Sequence, residues 1–265
     1  MVARLRLIFI LAVLVPVTLA LTPVQVVAMW LHRPLARRIP VLWHRIALAL
    51  VGVRVHVRGE VPLVRPVLIV ANHISWSDAL VLGSVMQLCF IAKSEVKSWP
   101  VFNLLAWMQR SVFIQRQQRR QAQAQADTIS ARLMEGDAMV LFAEGTTGDG
   151  ILLGPFKSAL FAAVRAALES ADIAHVTVQP VAIAYTRLHG MPLGRLHQAR
   201  AAWPGDVKLL PHLLSFLQVG AYDVEVIFTP PQDFSAATSR KVIARECRER
   251  IRTAFTDAMR MREPH

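Results

Sequence analysis

Between Leu7 and Leu31 the chain carries no charged residue, a run that begins after Arg4 and Arg6 and ends before Arg33. A helix rises about 1.5 Å per residue, so a stretch of this length can cross a hydrocarbon core about 30 Å thick. Three arrangements compete. A cleaved signal peptide fits the basic start, but the apolar run is too long for one and the cleavage site near Ala20 is weak. A single span fits, and the basic cluster Arg33, Arg37, Arg38 and Arg45 then places the bulk of the chain on the cytoplasmic side. A helical hairpin that enters one leaflet and returns also fits, because Pro16 and Thr22-Pro23 interrupt the run and read as a cap with a first-turn proline for a second helix. Residues 1–50 are therefore expected to be membrane-anchoring helices and 51–265 a cytoplasmic domain, with span or hairpin left open.

The 265 residues suffice for one sizeable domain and show no linker that would divide it. Thirty Lys and Arg against eighteen Asp and Glu leave a formal charge of +12, which calls for an anionic partner. Nucleic acid is not the expected one: no recognition motif is present, and the basic residues are scattered rather than interleaved with aromatics. An anionic membrane surface accounts for the same charge and agrees with the N-terminus. The two cysteines, Cys89 and Cys247, offer neither metal-ligand spacing nor a disulfide framework, so no metal site and a reducing compartment are expected.

From Gly52 onward apolar strand-like runs alternate with helical stretches. The segment 52–60 alternates apolar and polar residues, as a half-exposed edge strand does, whereas Val67–Ala71 is continuously apolar and suits a central strand. Further strands are expected at Leu88–Ala92, Ser111–Ile114, Ala138–Phe142, Val176–Tyr185 and Val224–Phe228. Helices are expected at Ala79–Met86, Val101–Met108, from about Gln117 to Met134, and over Phe156–Ser170, Pro211–Leu217 and Ser239 to about Arg262. The pattern predicts an α/β fold, a mixed central sheet covered by helices, with the N-terminal membrane-embedded segment appended.

Functional residues in such sheets collect where strands end and helices begin. The sharpest junction is Val67 to Asp78, where the apolar run stops at Asn72-His73 and an aspartate follows five residues after the histidine. On a regular helix, groups five apart do not face each other, so His73 and Asp78 meet only if the chain turns between them. His73 would leave a strand and Asp78 would sit in the first turns of a helix, with Ser75 or Ser77 as its N-cap. A carboxylate on one imidazole nitrogen fixes the tautomer and leaves the other nitrogen to accept a proton from a hydroxyl. A histidine and an aspartate in one loop are, by themselves, more often a surface hydrogen bond. Two further junctions share the position: Gln115-Arg116, and the glycine-rich stretch Glu144-Gly145-Thr146-Thr147-Gly148-Asp149-Gly150, whose backbone could approach a ligand closely. The latter lacks the Gly-Lys-Ser/Thr of a phosphate-binding P-loop.

Four blocks in order, Asn72–Asp78 (NHxxxxD), Phe113–Arg116, Phe142–Thr146 (FxEGT) and Val178–Ile183, resemble the 1-acylglycerol-3-phosphate acyltransferase family over roughly residues 50 to 230. The resemblance implies a membrane-associated enzyme that moves a fatty acyl group from a thioester of acyl carrier protein or coenzyme A onto the free hydroxyl of a lysolipid, with no further cofactor. It implies that His73 removes the hydroxyl proton, that Asp78 holds the imidazole, and that Arg116, Glu144, Gly145, Thr146, Thr147 and Asp149 belong to the acceptor site. Direct transfer needs no covalent acyl-enzyme, and backbone N–H groups near Glu144-Gly145 are candidates to stabilise the oxyanion. Lys93 and Lys157 are weaker candidates for binding an anion.

The chain departs from the family pattern at Ser111 and Ala143, neither of which touches the proposed proton transfer. It also has Thr147 where phosphate-accepting members generally have arginine. Threonine cannot replace a bidentate guanidinium on a phosphate, which argues against lysophosphatidic acid as the acceptor. The stretch Glu144–Phe161, with the later Val178–Arg195, looks like the branch that acylates lyso-ornithine lipid, a phosphate-free bacterial aminolipid. On that reading Asp149 pairs with the headgroup amine and Arg116 with its carboxylate. The expected location is a bacterial inner membrane, with the catalytic domain on its cytoplasmic side.

Overall fold

The computed structural model describes residues 1–94, 98–114, 122–205 and 207–260. Helix α1 (Val2–Leu31) and helix α2 (Arg33–Val51) come first, followed by β1 (Arg54–Arg58), β2 (Val67–Ala71), α3 (Asp78–Val85), β3 (Cys89–Lys93), α4 (Pro100–Met108) and β4 (Val112–Ile114). The chain continues with α5 (Ala122–Met134), β5 (Ala138–Phe142), α6 (Phe161–Ser170), β6 (Val176–Leu188), β7 (Met191–Pro192), α7 (Leu209–Val219), β8 (Tyr222–Phe228), β9 (Gln232–Phe234) and α8 (Arg240–Arg260).

The strands form one mixed sheet in the order β1-β8-β6-β2-β5-β3-β4, with β7 and β9 added beside β6. Strand β2 lies parallel to both β5 and β6, whereas β6 and β8 are antiparallel. This is the mixed α/β sheet that the alternating pattern predicts. All five residues of β2 are fully buried, as the continuous apolar run requires of a central strand. Each such Val, Leu or Ile contributes roughly 1.5–3 kcal/mol on burial, so the strand that delivers His73 is held rigidly. At the other extreme β1 borders the sheet with mostly exposed side chains, and its polar positions pair across to β8 through His56–Asp223 and Arg58–Glu225. The core includes residues from α1 and α2 (Ile10, Leu48 and Val51) as well as from the sheet and from α3, α5, α6 and α8.

The N-terminus departs from one expectation. Pro16 and Pro23 do not divide the apolar run; α1 is continuous through both, and the chain reverses at His32, whose ring accepts the Leu35 N–H and caps α2. The two helices pack antiparallel, tied by Gln25 Nε2 to the Ala36 carbonyl, Trp43 Nε1 to Thr18 Oγ1, and Arg6 to the Val51 carbonyl. Proline removes one backbone donor, but a helix in apolar surroundings has no alternative partners for its other groups and keeps them internal. Threonine hydroxyls add bonds along the same stretch, Thr18 to the Leu14 carbonyl and Thr22 to the Thr18 carbonyl. Helix α1 has a mean hydropathy of 2.6 in its most apolar window, of which only 6% is buried, the remaining side chains being half-buried or exposed.

Two smaller differences have local causes. The helix expected from Phe156 begins at Phe161, because the Lys157 N–H bonds the Ala143 carbonyl and holds the preceding turn extended against the end of β5. The expected starts of the α5 helix near Gln117 and end of the last helix at Arg262 fall outside the described residues.

Candidate active site

Three segments meet at the C-terminal end of β2. Asn72 forms a reciprocal pair with Ile183 of β6, its Nδ2 donating to the Ile183 carbonyl at 2.9 Å and its Oδ1 accepting the Ile183 N–H at 2.8 Å. On the other side, the Ala143 N–H beyond β5 bonds the Ala71 carbonyl, and the Gly148 N–H bonds the His73 carbonyl. The chain then turns and enters α3 at Asp78, which brings the two predicted side chains together: His73 Nδ1 lies 2.8 Å from Asp78 Oδ2. The same Oδ2 accepts the backbone N–H groups of Ile74 (2.6 Å) and Ser75 (2.9 Å), and Oδ1 accepts the hydroxyl of Tyr185 (2.9 Å).

Asp78 is 0% exposed. A buried carboxylate is stable as an ion only when hydrogen-bonded, and four donors plus the N-terminus of α3 satisfy that condition. With Nδ1–H donated to Asp78, the Nε2 lone pair of His73 faces away from the carboxylate. The side chain remains 20% exposed and its ring stacks on Phe142 at 3.9 Å between centroids. The arrangement is an oriented base with one accessible nitrogen. Ser77 does occupy the N-cap position of α3, but its hydroxyl bonds Tyr185 instead of a helix N–H. Ser75 is fully buried with its Oγ unpartnered.

The glycine-rich loop comes back over this turn. Glu144 is nearly buried; its Oε1 accepts the His73 N–H and its Oε2 the Gly154 N–H, each at 2.8 Å. Burial pushes its carboxyl group up from the ordinary glutamate value, while the two backbone donors and His73 pull it back down. Gly145 sits at φ +70, where a side chain would be strained. Its N–H bonds the Phe142 carbonyl, and that of Gly148 bonds His73, so neither of these two is left to face an oxyanion. Thr147 is buried, whereas Thr146 and Asp149 are exposed. Asp149 Oδ1 accepts the N–H groups of Ile151 and Leu152, closing a local turn. Arg116 lies outside the described residues.

Four participants were not anticipated from the sequence. Asn72 splices the turn to β6, and Tyr185 completes the shell of Asp78. Gly154 supplies a donor to Glu144, and a Cβ there would stand 2.6 Å from Glu144 Oε2. Arg248 of α8 donates to the carbonyls of Gly154 and Leu153, so a cation of the last helix secures the glycine-rich loop. The signal for Tyr185 is a hydroxyl closing the apolar run that starts at Pro180; nothing marks Arg248 among its basic neighbours. Tyr185→Phe removes one donor from Asp78 and leaves the Ser77 hydroxyl without its partner. We expect kcat to fall about tenfold with KM held, and stability to fall by about 1–3 kcal/mol, measured by steady-state kinetics and denaturant unfolding.

The structure thus sets a histidine, oriented by a buried carboxylate, at the end of a central parallel strand of an α/β sheet that also carries a long apolar N-terminal helix. The chain belongs to the acyltransferase family, whose model matches residues 52–184. It is 48% identical over 249 residues (94% of this chain, 85% of the relative) to a lyso-ornithine lipid O-acyltransferase of Rhizobium meliloti. It is 47% identical over 263 residues (99% of this chain, 98% of the relative) to an enzyme of the same name from Brucella abortus. More distantly, it is 31% identical over 72% of its length to a 1-acyl-sn-glycerol-3-phosphate acyltransferase of Neisseria gonorrhoeae, 70% of which is covered. The fold matches the crystal structure of the 1-acyl-sn-glycerophosphate acyltransferase PlsC from Thermotoga maritima with a TM-score of 0.65 at 20% identity, covering 99% of this chain and 100% of that one.

Proposed function

We propose that the protein acylates the free hydroxyl of lyso-ornithine lipid, taking the acyl group from a thioester of acyl carrier protein or coenzyme A. His73 Nε2 accepts the hydroxyl proton as the oxygen attacks the thioester carbonyl. The tetrahedral oxyanion collapses, the C–S bond breaks, and the thiolate leaves with the proton His73 had taken. Asp78 stabilises the imidazolium between the two transfers. The observation that carries this reading is the 2.8 Å contact between His73 Nδ1 and Asp78 Oδ2, held by three further donors to the same carboxylate. Direct transfer without an acyl-enzyme is supported by the two serines of the turn: one is fully buried and the other hydrogen-bonds Tyr185.

The acceptor assignment draws on the names of the two relatives near half identity and on Thr147, which is buried and uncharged at the position where phosphate-accepting members carry arginine. The exposed Asp149 is the candidate partner for the headgroup amine, and Arg116 for its carboxylate. The apolar exposed face of α1 supports anchoring at the inner membrane, and the basic residues of α2 favour a domain on the cytoplasmic side. An assay offering purified enzyme equal amounts of lyso-ornithine lipid and lysophosphatidic acid, with one acyl donor at a time, tests the proposal. Product formation on the aminolipid at least about tenfold faster in kcat/KM, a difference of ~1.4 kcal/mol, is the expected result. Exclusive use of lysophosphatidic acid defeats it and leaves the Neisseria-type reaction as the activity.

A further inference from the structure

At the opposite end of the sheet from His73, an arginine-rich cleft opens between α2 and the starts of β2, β3 and β5. It encloses about 240 Å³ and is lined in part by Arg37, Arg65, Arg110 and Asp137. Strand β2 separates it from the catalytic turn, which at about 3.3 Å per residue puts the two roughly 15–20 Å apart. The cleft therefore plays no part in the proton transfer.

Its charges do not balance. Arg37 contacts Asp137 Oδ1 at 2.8 Å and the Glu135 carbonyl at 2.7 Å; Arg110 reaches Asp137 Oδ2 at 3.1 Å and also pairs with Glu135; Arg132 meets Glu135 at 3.4 Å. Arg65 is exposed at the rim and, among the described residues, makes no hydrogen bond or ion pair. Among the described residues, three guanidinium groups thus share two carboxylates, and Arg65 adds a fourth positive charge with neither. Within the cleft the Nε of Arg37 is buried without an acceptor, a cost that a folded protein normally avoids, and Asp137 Oδ2, though 3.1 Å from Arg110, is buried without a hydrogen-bond donor. Arg110 sits at φ 59 because it closes the C-terminus of α4: its N–H bonds the Trp107 carbonyl and that of Ser111 the Ala106 carbonyl, a common left-handed helix cap. Together, the excess of positive charge and the unmet donor of Arg37 describe a site with room for an anion.

We propose that this cleft binds a phosphate group. Guanidinium forks match phosphate oxygens two at a time, and the excess of two positive charges suits a mono- or dianion. The adjoining surface points to the form that phosphate takes. Trp30 and Leu31, at the turn of the α1–α2 hairpin, are 83% and 80% exposed. Arg37 lies four residues into α2 from Arg33, about 6 Å along the helix from that turn. A phospholipid whose tails lie beside the hairpin places its phosphate at the level of the cleft; dissolved phosphate is the other source of the same chemistry. The site would then seat the domain on the membrane in a fixed orientation while leaving the catalytic loop open to a phosphate-free acceptor.

Calorimetric titration of the full chain in neutral detergent tests this. One arm uses inorganic phosphate at constant ionic strength against chloride. The other uses short-chain phosphatidylglycerol against the same tails on bare glycerol. We expect saturable binding in at least one arm, weakened about tenfold in Arg65→Gln through loss of a charge-assisted contact. Arg195→Gln, which removes an exposed charge elsewhere, should leave binding unchanged within twofold. Binding in the first arm alone assigns dissolved phosphate, and in the second alone a lipid headgroup. No saturable binding in either arm, or equal effects of the two substitutions, overturns the proposal. Acyl transfer by Arg65→Gln serves as the folding control and is expected at the wild-type rate.

Discussion

His73→Ala is expected to lower acyl transfer by a factor of about 10²–10⁴, the contribution usual for a positioned general base, while leaving the protein folded. The fold survives because the aspartate does not depend on the imidazole: Ile74, Ser75 and Tyr185 still donate to Asp78. What is lost is a partly exposed ring and its stacking on Phe142, worth on the order of 1 kcal/mol. Asp78→Asn tests the same hand-off from the other side. An amide can keep its oxygen on His73, Ile74 and Ser75 and turn its NH2 to the Tyr185 oxygen, whose hydroxyl then donates to Ser77; what it lacks is the negative charge that stabilises an imidazolium. We expect a comparable fall in kcat with a smaller loss of stability than removal of the side chain would cause. Single-turnover measurement with saturating thioester and lysolipid separates chemistry from product release. If His73→Ala retained wild-type turnover, the proton-transfer assignment would be withdrawn.

The His73–Asp78 contact was readable before any coordinates because it is local: a spacing of five is unhelpful on a helix and informative across a turn. The contacts that make the pair work are not local. Asn72 meets Ile183, His73 meets Glu144, and Asp78 meets Tyr185, at sequence separations of 111, 71 and 107. All three follow from one topological fact, that β2 has β5 and β6 as its parallel neighbours. Whatever follows β5, and whatever lies late in β6, must surround the end of β2. Propensity and periodicity find the strands but not their order, so the Glu144 stretch is located as a strand end without its contact to His73, and Tyr185 is not singled out at all. The N-terminal prolines illustrate a different limit. Their reading as breakers assumes water ready to receive freed backbone groups, and an apolar helix has none.

Glu144→Ala is expected to cost about 2–5 kcal/mol of stability, since it strands the N–H groups of His73 and Gly154 at roughly 1–3 kcal/mol each. Against a total of about 5–15 kcal/mol for a typical domain, that is a large fraction. Activity should fall further than stability does, because the lost bond is to the backbone of His73 itself, the proposed base. The substitution also separates two roles. A glutamate that only gripped the acceptor would, when removed, raise KM and spare both kcat and the unfolding midpoint. One that clamps the turn lowers kcat and stability together. Gly154→Ala distinguishes them a second way, since it keeps the carboxylate but sets a Cβ 2.6 Å from its Oε2, forcing the side chain off its two donors. If clamping is the role, Gly154→Ala reproduces the kinetic defect of Glu144→Ala with the charge still present. If acceptor binding is the role, the two variants diverge in KM. The geometry favours the first outcome, since each oxygen of this carboxylate already accepts a backbone N–H on either side of the histidine loop.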